Sequence, residues 1–224
     1  ALALGLSNFI MQASESIISI CFNSSLQSYG GDIAVGAMTI LTSVMQFAML
    51  PLQGLGQGAQ PIISYNYGAR NPERVKAAFK LLLKSSLVYS TLLWALVMLF
   101  PQAFAAMFTS SETLMTFTQK ALRIYMACLL LFGIQIACQM TFTSLGNAKA
   151  SILVAVMRKF ILLIPLIYIM PLLFSADKTT AVYMAEPVAD FIAVTFTAIF
   201  FTFQFKKALK GISGKRETPE STAQ

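Results

Sequence analysis

Six apolar stretches, separated by short polar segments, run along the chain. Each is more than 20 residues long, and a helix of about 20 apolar residues crosses the hydrocarbon core of a bilayer. In lipid such a segment must satisfy its own backbone hydrogen bonds, as a helix does. The sequence therefore predicts an all-α membrane protein, a bundle of six transmembrane helices at residues 3–26, 33–65, 77–100, 120–145, 152–174 and 182–205.

The composition supports this class and argues against an enzyme. Hydrophobic residues make up 57% of the chain and charged residues 11%, whereas soluble domains carry about 25% charged residues. The chain has no histidine, and none of its three cysteines forms a C-x-x-C pair. Without these or clustered acids, we expect no catalytic residues and no bound cofactor.

The basic residues are distributed unevenly between the two sides of the predicted bundle. Thirteen of the 16 lie in the second loop, the fourth loop and the C-terminal segment, and three lie on the other side. Because cytoplasmic loops are enriched in Lys and Arg, both chain ends are predicted to be cytoplasmic. This topology also explains the net charge of +7 without nucleic acid as a partner. Residues 1–210 form the predicted six-span lobe, and 211–224 a disordered cytoplasmic tail.

A row of polar residues lies on one face of the first predicted span. Its steps of four, three, four and four residues follow the helical repeat, and its members are Asn8, Gln12, Glu15, Ser19 and Asn23. Hydrogen bonds between packed helices would also produce a polar row. A carboxylate inside a span costs about 3 kcal/mol, and no basic residue is expected to face Glu15. We therefore predict that Glu15 has a functional role and binds a cation or a proton.

Further polar residues in other spans predict a central water-accessible cavity. Together with the row around Glu15, its predicted lining includes Gln46, Gln53, Tyr125, Gln135 and Gln139. In the second span, four residues predict either a hinge or close helix packing: Pro51, Gly54, Gly58 and Pro61. Both interpretations remain open, because a G-x-x-x-G pair also lets helices approach closely.

Three charged residues of the last two spans receive different interpretations. Asp190 has no obvious basic partner, so it either binds a cation or proton, as proposed for Glu15, or is held by hydrogen bonds between helices. Glu186 is expected near the membrane interface, at the start of the last helix. Arg158 and Lys159 are expected to snorkel to the cytoplasmic interface, because the apolar run after them is nearly long enough to span.

Four stretches of sequence carry a family resemblance. The longest is GLGQGAQPIISYNYGAR at 54–70, followed by Arg74 and Lys76. The others are QASES around Glu15, SLGNAK at 144–149 with later Arg158 and Pro165, and EPVAD at 186–190. Together they resemble the multidrug and toxic compound extrusion (MATE) family, in its seventh, eighth, tenth, eleventh and twelfth spans.

The resemblance implies a fold, a function and a partner. Family members have twelve spans in two lobes, so the chain looks like the C-terminal lobe, and it begins with Ala1 rather than methionine. It implies efflux of drugs and organic cations across the cell membrane, driven by H⁺ or Na⁺, together with a missing N-terminal six-span lobe. It also suggests Na⁺ near Glu15, although the acid that some members carry in the tenth span is absent beside Gln135 and Gln139.

Two alternative hypotheses are weighed against drug efflux. One is a flippase for lipid-linked oligosaccharides from the same superfamily, which would favour a cationic cavity for pyrophosphate. The predicted cavity contains acids and no Arg or Lys, which argues against it. The second is a truncated fragment that does not transport, because one lobe has no second body to move against.

Overall fold

The computed structural model describes the backbone of residues 2–214 and the side chains of residues 13–147 and 149–212. Within these ranges every regular element is helical. The α-helices are α1 (Leu2–Gly68), α2 (Pro72–Leu99), α3 (Pro101–Ala106), α4 (Glu112–Tyr125), α5 (Phe132–Ser144), α6 (Ala148–Val156), α7 (Ile164–Leu173) and α8 (Lys178–Gly214). A 3₁₀ turn (Leu129–Leu131) precedes α5, and a π-helix (Met157–Leu163) joins α6 to α7.

Helix α1 contains one break, at Gly31, where the backbone has φ +62° and ψ −159°. This conformation suits glycine, because it has no Cβ to clash. Beside the break, Gln27 Nε2 donates a hydrogen bond to Asp32 Oδ1 at 3.0 Å. Residues before and after Gly31, such as Phe22 and Leu41, belong to the same buried core. The break predicted between the first two spans is therefore confirmed.

The number of potential membrane crossings follows from these breaks. Among the described residues, four helices are long and apolar enough to cross: Ala13–Gly68, Pro72–Leu99, Lys149–Leu173 and Lys178–Ile212. A bent pair, Glu112–Tyr125 with Leu129–Ser144, supplies a fifth crossing. Gly31 divides the first of these helices into two parts, and the six crossings expected from the sequence remain a prediction.

The fourth predicted span is bent rather than straight. The axes of α4 and α5 differ by 44°, and α2 supplies partners for carbonyl groups at the bend. Trp94 Nε1 donates to the carbonyl oxygen of Ala127 at 2.9 Å, and Ser90 Oγ donates to that of Leu130 at 2.9 Å. Non-helical backbone is tolerated at membrane depth where neighbouring helices satisfy its polar groups. The bend thus depends on contacts with α2, and Gly133 permits them, because an added Cβ there would lie 2.7 Å from the Ser86 carbonyl oxygen.

The second span is regular, and one expected helix end is wrong. Near Pro51 and Pro61, where a hinge is one interpretation, the backbone is helical, and Gly31 is the one residue of α1 described with non-helical φ and ψ. The disordered tail was expected from residue 211, but α8 continues to Gly214. The rest of that tail lies outside the described residues.

The start of α8 is fixed by Asp177. Its Oδ1 accepts from the Thr180 backbone N–H at 3.0 Å, and its Oδ2 accepts from Thr180 Oγ1 at 2.6 Å. These hydrogen bonds stabilise the charged carboxylate and hold the pKa of Asp177 below its ordinary value. Because α8 begins this early, Glu186 lies two turns inside the helix rather than at its start.

Candidate functional site

Two neighbouring basic residues, Arg158 and Lys159, lie in the π-helix between α6 and α7. The Ile164 N–H bonds to the Lys159 carbonyl, five residues back instead of four, so the segment is wider than an α-helix. Such turns occur often at functional sites. Consecutive side chains on a helix point in different directions, and these two reach different helices.

Arg158 forms ion pairs with two carboxylates of α8. Its Nε donates to Asp190 Oδ1 at 2.6 Å, and its Nη2 donates to Glu186 Oε1 at 2.8 Å. The side-chain exposures of Arg158, Glu186 and Asp190 are 16%, 6% and 2%. The guanidinium carbon also lies 5.0 Å from the ring centroid of Phe132 on α5, a cation–π distance. We call Arg158, Glu186 and Asp190 the α8 triad.

Lys159 points toward the first part of α1. Its Nζ donates to Glu15 Oε1 and, at 3.2 Å, to Ser14 Oγ. The Lys159 side chain is 11% exposed, whereas that of Glu15 is 61% exposed. The pair is therefore asymmetric: the lysine is enclosed by the bundle, and the carboxylate remains open on its outer side.

The structure corrects four expectations about charge. Glu15 has a basic partner, Lys159, and Asp190 has one as well, Arg158. Arg158 and Lys159 do not snorkel to the interface, and Glu186 is buried. The error came from treating each helix alone, since an apolar run long enough to span says nothing about carboxylates on a neighbour. The presence of two basic and three acidic residues within the predicted spans could have indicated that they form ion pairs between helices.

The other predicted cavity residues divide into an exposed group and a buried group. Asn8 and Gln12 lie outside the described side chains. Four residues are exposed, two on each side of the break in α1: Ser19, Asn23, Gln46 and Gln53. We call these residues, with Glu15, the α1 polar face. Gln139 is half-buried, and Tyr125 and Gln135 lie inside the bundle. Among the described side chains, the predicted lining residues therefore do not surround one enclosed cavity.

Tyr125 and Gln135 flank the bend between α4 and α5. Tyr125 is buried, and its ring lies 6.2 Å from that of Phe22 on α1, in an edge-on arrangement. Gln135 Oε1 is buried and accepts no hydrogen bond from any described residue. The phenol of Tyr125 and the amide of Gln135, on either side of the bend, thus both lie inside the bundle.

The glycines of α1 make different contacts from those expected. A Cβ added at Gly54 or Gly58 would meet nothing within 4 Å, whereas one at Gly56 would lie 2.5 Å from Met140 Cγ. Close packing by the Gly54–Gly58 pair is therefore not made against the described part of this chain. Pro51 and Pro61 are exposed, and a hinge role for these four residues remains a prediction.

No group of three or more His, Cys, Asp or Glu suited to a metal ion occurs among the described residues. Sodium near Glu15 therefore remains a prediction, and it would share the carboxylate with Lys159. Taken together, the two ion-pair groups contain two positive and three negative side chains. This arrangement can bind small cations or protons, and its charge balance depends on which carboxyls are ionised.

Comparison with known proteins gives one family and one fold. The MatE family model matches residues 8–169. The Multidrug export protein MepA of Staphylococcus aureus (strain NCTC 8325 / PS 47) is 27% identical over 171 residues, covering 76% of this chain and 37% of that protein. MepA of Staphylococcus haemolyticus is 23% identical over 192 residues, covering 85% and 42%.

Solved structures agree in fold. The inward-facing conformation of a multidrug resistance MATE family transporter superposes with TM-score 0.86 at 21% identity, covering 93% of this chain and 48% of that one. A MOP superfamily transporter from Pyrococcus furiosus, described as having a binding pocket of reverse polarity, gives TM-score 0.83 at 22% identity, covering 92% and 46%. The chain thus spans less than half the length of each of these relatives.

Proposed function

The chain belongs to the MatE family, and from that premise we propose that it is the C-terminal lobe of a multidrug efflux transporter. In this proposal, entry of H⁺ or Na⁺ drives export of organic cations or drugs across the cell membrane. Two related proteins of about twice its length are named multidrug export proteins. The transport cycle requires an N-terminal six-span lobe as partner, because alternating access needs two bodies that move about a shared site.

The observation that carries the proposal is the open carboxylate of Glu15. It is on a predicted membrane span, it is 61% exposed, and its ion partner is the enclosed Lys159. An incoming cation can approach the outer side of the carboxylate and compete with the lysine for it. Binding of one cation makes binding of another less favourable, which is the relation that exchange requires.

The α1 polar face supports a second lobe. Its five exposed polar side chains, Glu15 included, would be poorly solvated by lipid tails. Facing a second lobe across a water-filled cleft would provide partners for them. The exposed Gly54 and Gly58, with no neighbour within 4 Å of an added Cβ, would allow a helix of that lobe to approach closely.

A cationic-dye efflux assay tests this function. The chain joined to the N-terminal lobe of its own transporter should export ethidium from cells, and a protonophore or removal of sodium should stop the export. The chain expressed alone should insert in the membrane and export none, because one lobe cannot alternate. Efflux by the lone chain would contradict the two-lobe requirement, and absence of efflux from the joined protein at normal expression would favour a fragment that does not transport.

The flippase alternative is weakened for a different reason from the one given by the sequence. Arg158 and Lys159 do lie in the polar interior, so the expectation of an interior without basic residues was wrong. Both, however, are engaged by carboxylates, which leaves neither free for a pyrophosphate. The proposal therefore keeps cationic compounds as the substrate class.

We also propose that both ends of the chain face the cytoplasm. Without Arg158 and Lys159, which lie inside the bundle, the basic residues still divide eleven to three in favour of that side. After replacement of the native Cys21, Cys128 and Cys138, an impermeant thiol reagent added outside should label Ser28→Cys and miss Ala69→Cys. The cysteine is placed at Ala69 rather than at Asn71, because the Asn71 side chain caps α2 and replacing it would remove the cap. The reverse labelling would invert the topology.

A further inference from the structure

The α8 triad has an unequal number of positive and negative groups. Arg158 contributes one positive charge, and Glu186 and Asp190 contribute two negative charges when both are ionised. Lys159 cannot make up the difference, because it is bound to Glu15. An uncompensated charge that is nine-tenths buried is strongly unfavourable, so the triad is expected to hold one more positive charge.

One atom of the triad marks where that charge belongs. Glu186 Oε2 is buried and accepts no hydrogen bond from any described residue, and Glu186 as a whole is 5% exposed. Its other oxygen already accepts from Arg158, while Asp190 accepts from the guanidinium at the shorter distance of 2.6 Å. Arginine stays charged in proteins. An ionised oxygen without a donor is costly, and a neutral hydroxyl is less so.

We propose that Glu186 is a proton-binding site that carries one exchangeable proton on Oε2 and so makes the α8 triad neutral. The charged and titratable groups that face it are Asp190 from α8, Arg158 and Lys159 from the π-helix, Glu15 from α1 and Tyr125 from α4. Binding forms one O–H bond on the carboxylate, and release returns the triad to a net charge of −1. The assignment of this proton site does not depend on which substrate is transported.

A proton fits the position better than a metal ion. The guanidinium of Arg158 already lies between the two carboxyls, where a metal ion would need both of them. Within the described ranges, no group of three or more His, Cys, Asp or Glu could hold such an ion. A proton needs one oxygen and no further ligands.

Infrared spectroscopy of the purified chain in lipid nanodiscs tests the proposal. At pH 7 the wild-type protein should show the carbonyl band of a protonated carboxylic acid. The band should shift when the protein is labelled with ¹³C-glutamate and stay in place with ¹³C-aspartate. Glu186→Gln should lose the band, while the control Glu73→Gln, at a carboxylate that is 81% exposed and lies outside the triad, should keep it.

Three results would overturn the assignment. They are absence of the band from the wild-type protein, a shift with labelled aspartate instead of glutamate, and persistence of the band in Glu186→Gln. The isotope measurement needs no variant, so the assignment remains testable if Glu186→Gln fails to fold. None of these measurements requires transport, so a failed efflux assay would leave this conclusion standing.

Discussion

Glu15→Gln is expected to remove most drug efflux from the chain joined to its N-terminal lobe. The amide keeps the size and hydrogen-bonding capacity of the carboxyl but cannot attract a cation by charge. Because a hydrogen bond to a charged group contributes roughly 1.5–3 kcal/mol, cation binding should weaken by about 10- to 100-fold. Glu15→Asp should keep part of the activity, since the charge remains but lies one methylene further back. Dye efflux and resistance at matched membrane expression measure the effect.

This experiment needs control variants because Glu15 forms an ion pair with Lys159. Glu15→Gln leaves the enclosed ammonium without its carboxylate partner, which could destabilise the protein on its own. The double variant Glu15→Gln with Lys159→Met removes both charges and should fold, yet still fail to export. Ser19→Ala, exposed on the same α1 polar face, should export normally. If Glu15→Gln exports at close to the wild-type rate, Glu15 has no coupling role and its contact with Lys159 is structural.

Arg158→Met is expected to destabilise the protein more than any other single substitution in the polar interior. It leaves two carboxyls with exposures of 6% and 2% and without their shared cation, and breaking a buried ion pair costs about 3–5 kcal/mol. The stability of Arg158→Lys should lie between that of the wild type and that of Arg158→Met, because an ammonium retains the charge but not the planar geometry that binds two carboxylates. Unfolding by denaturant in mixed micelles gives the free energy difference.

The charge explanation can be separated from lost packing. Combining Arg158→Met with Glu186→Gln and Asp190→Asn removes the whole α8 triad and should recover much of the stability, because no uncompensated charge remains. Arg123→Gln, an exposed position at the end of α4, should change stability by less than about 0.5 kcal/mol. Stability of Arg158→Met equal to that of Arg123→Gln would mean that the triad does not hold the bundle together.

The sequence predicted the features that a single helix determines. Span positions follow from apolar length, the break at Gly31 from a glycine pair, and the polar row at Glu15, Ser19 and Asn23 from steps of four residues. It failed where two helices act together. The partners of Arg158 and Lys159 depend on how α1, the π-helix and α8 are rotated against one another. The bend after Tyr125 likewise depends on Trp94 and Ser90 from α2, which a pattern within one helix does not identify.

The two basic residues of the π-helix form ion pairs that differ in burial. Arg158 binds Glu186 and Asp190, one turn apart on α8 and both enclosed, whereas Lys159 binds Glu15 of α1, whose side chain is exposed. Of these ion pairs, the one between Lys159 and Glu15 should therefore open first, whereas the buried hydrogen bond from Tyr183 Oη to the Ala34 carbonyl oxygen keeps α8 attached to α1. A cation that displaces Lys159 from Glu15 would thus change one contact between α1 and the π-helix and leave the packing of α1 against α8 in place.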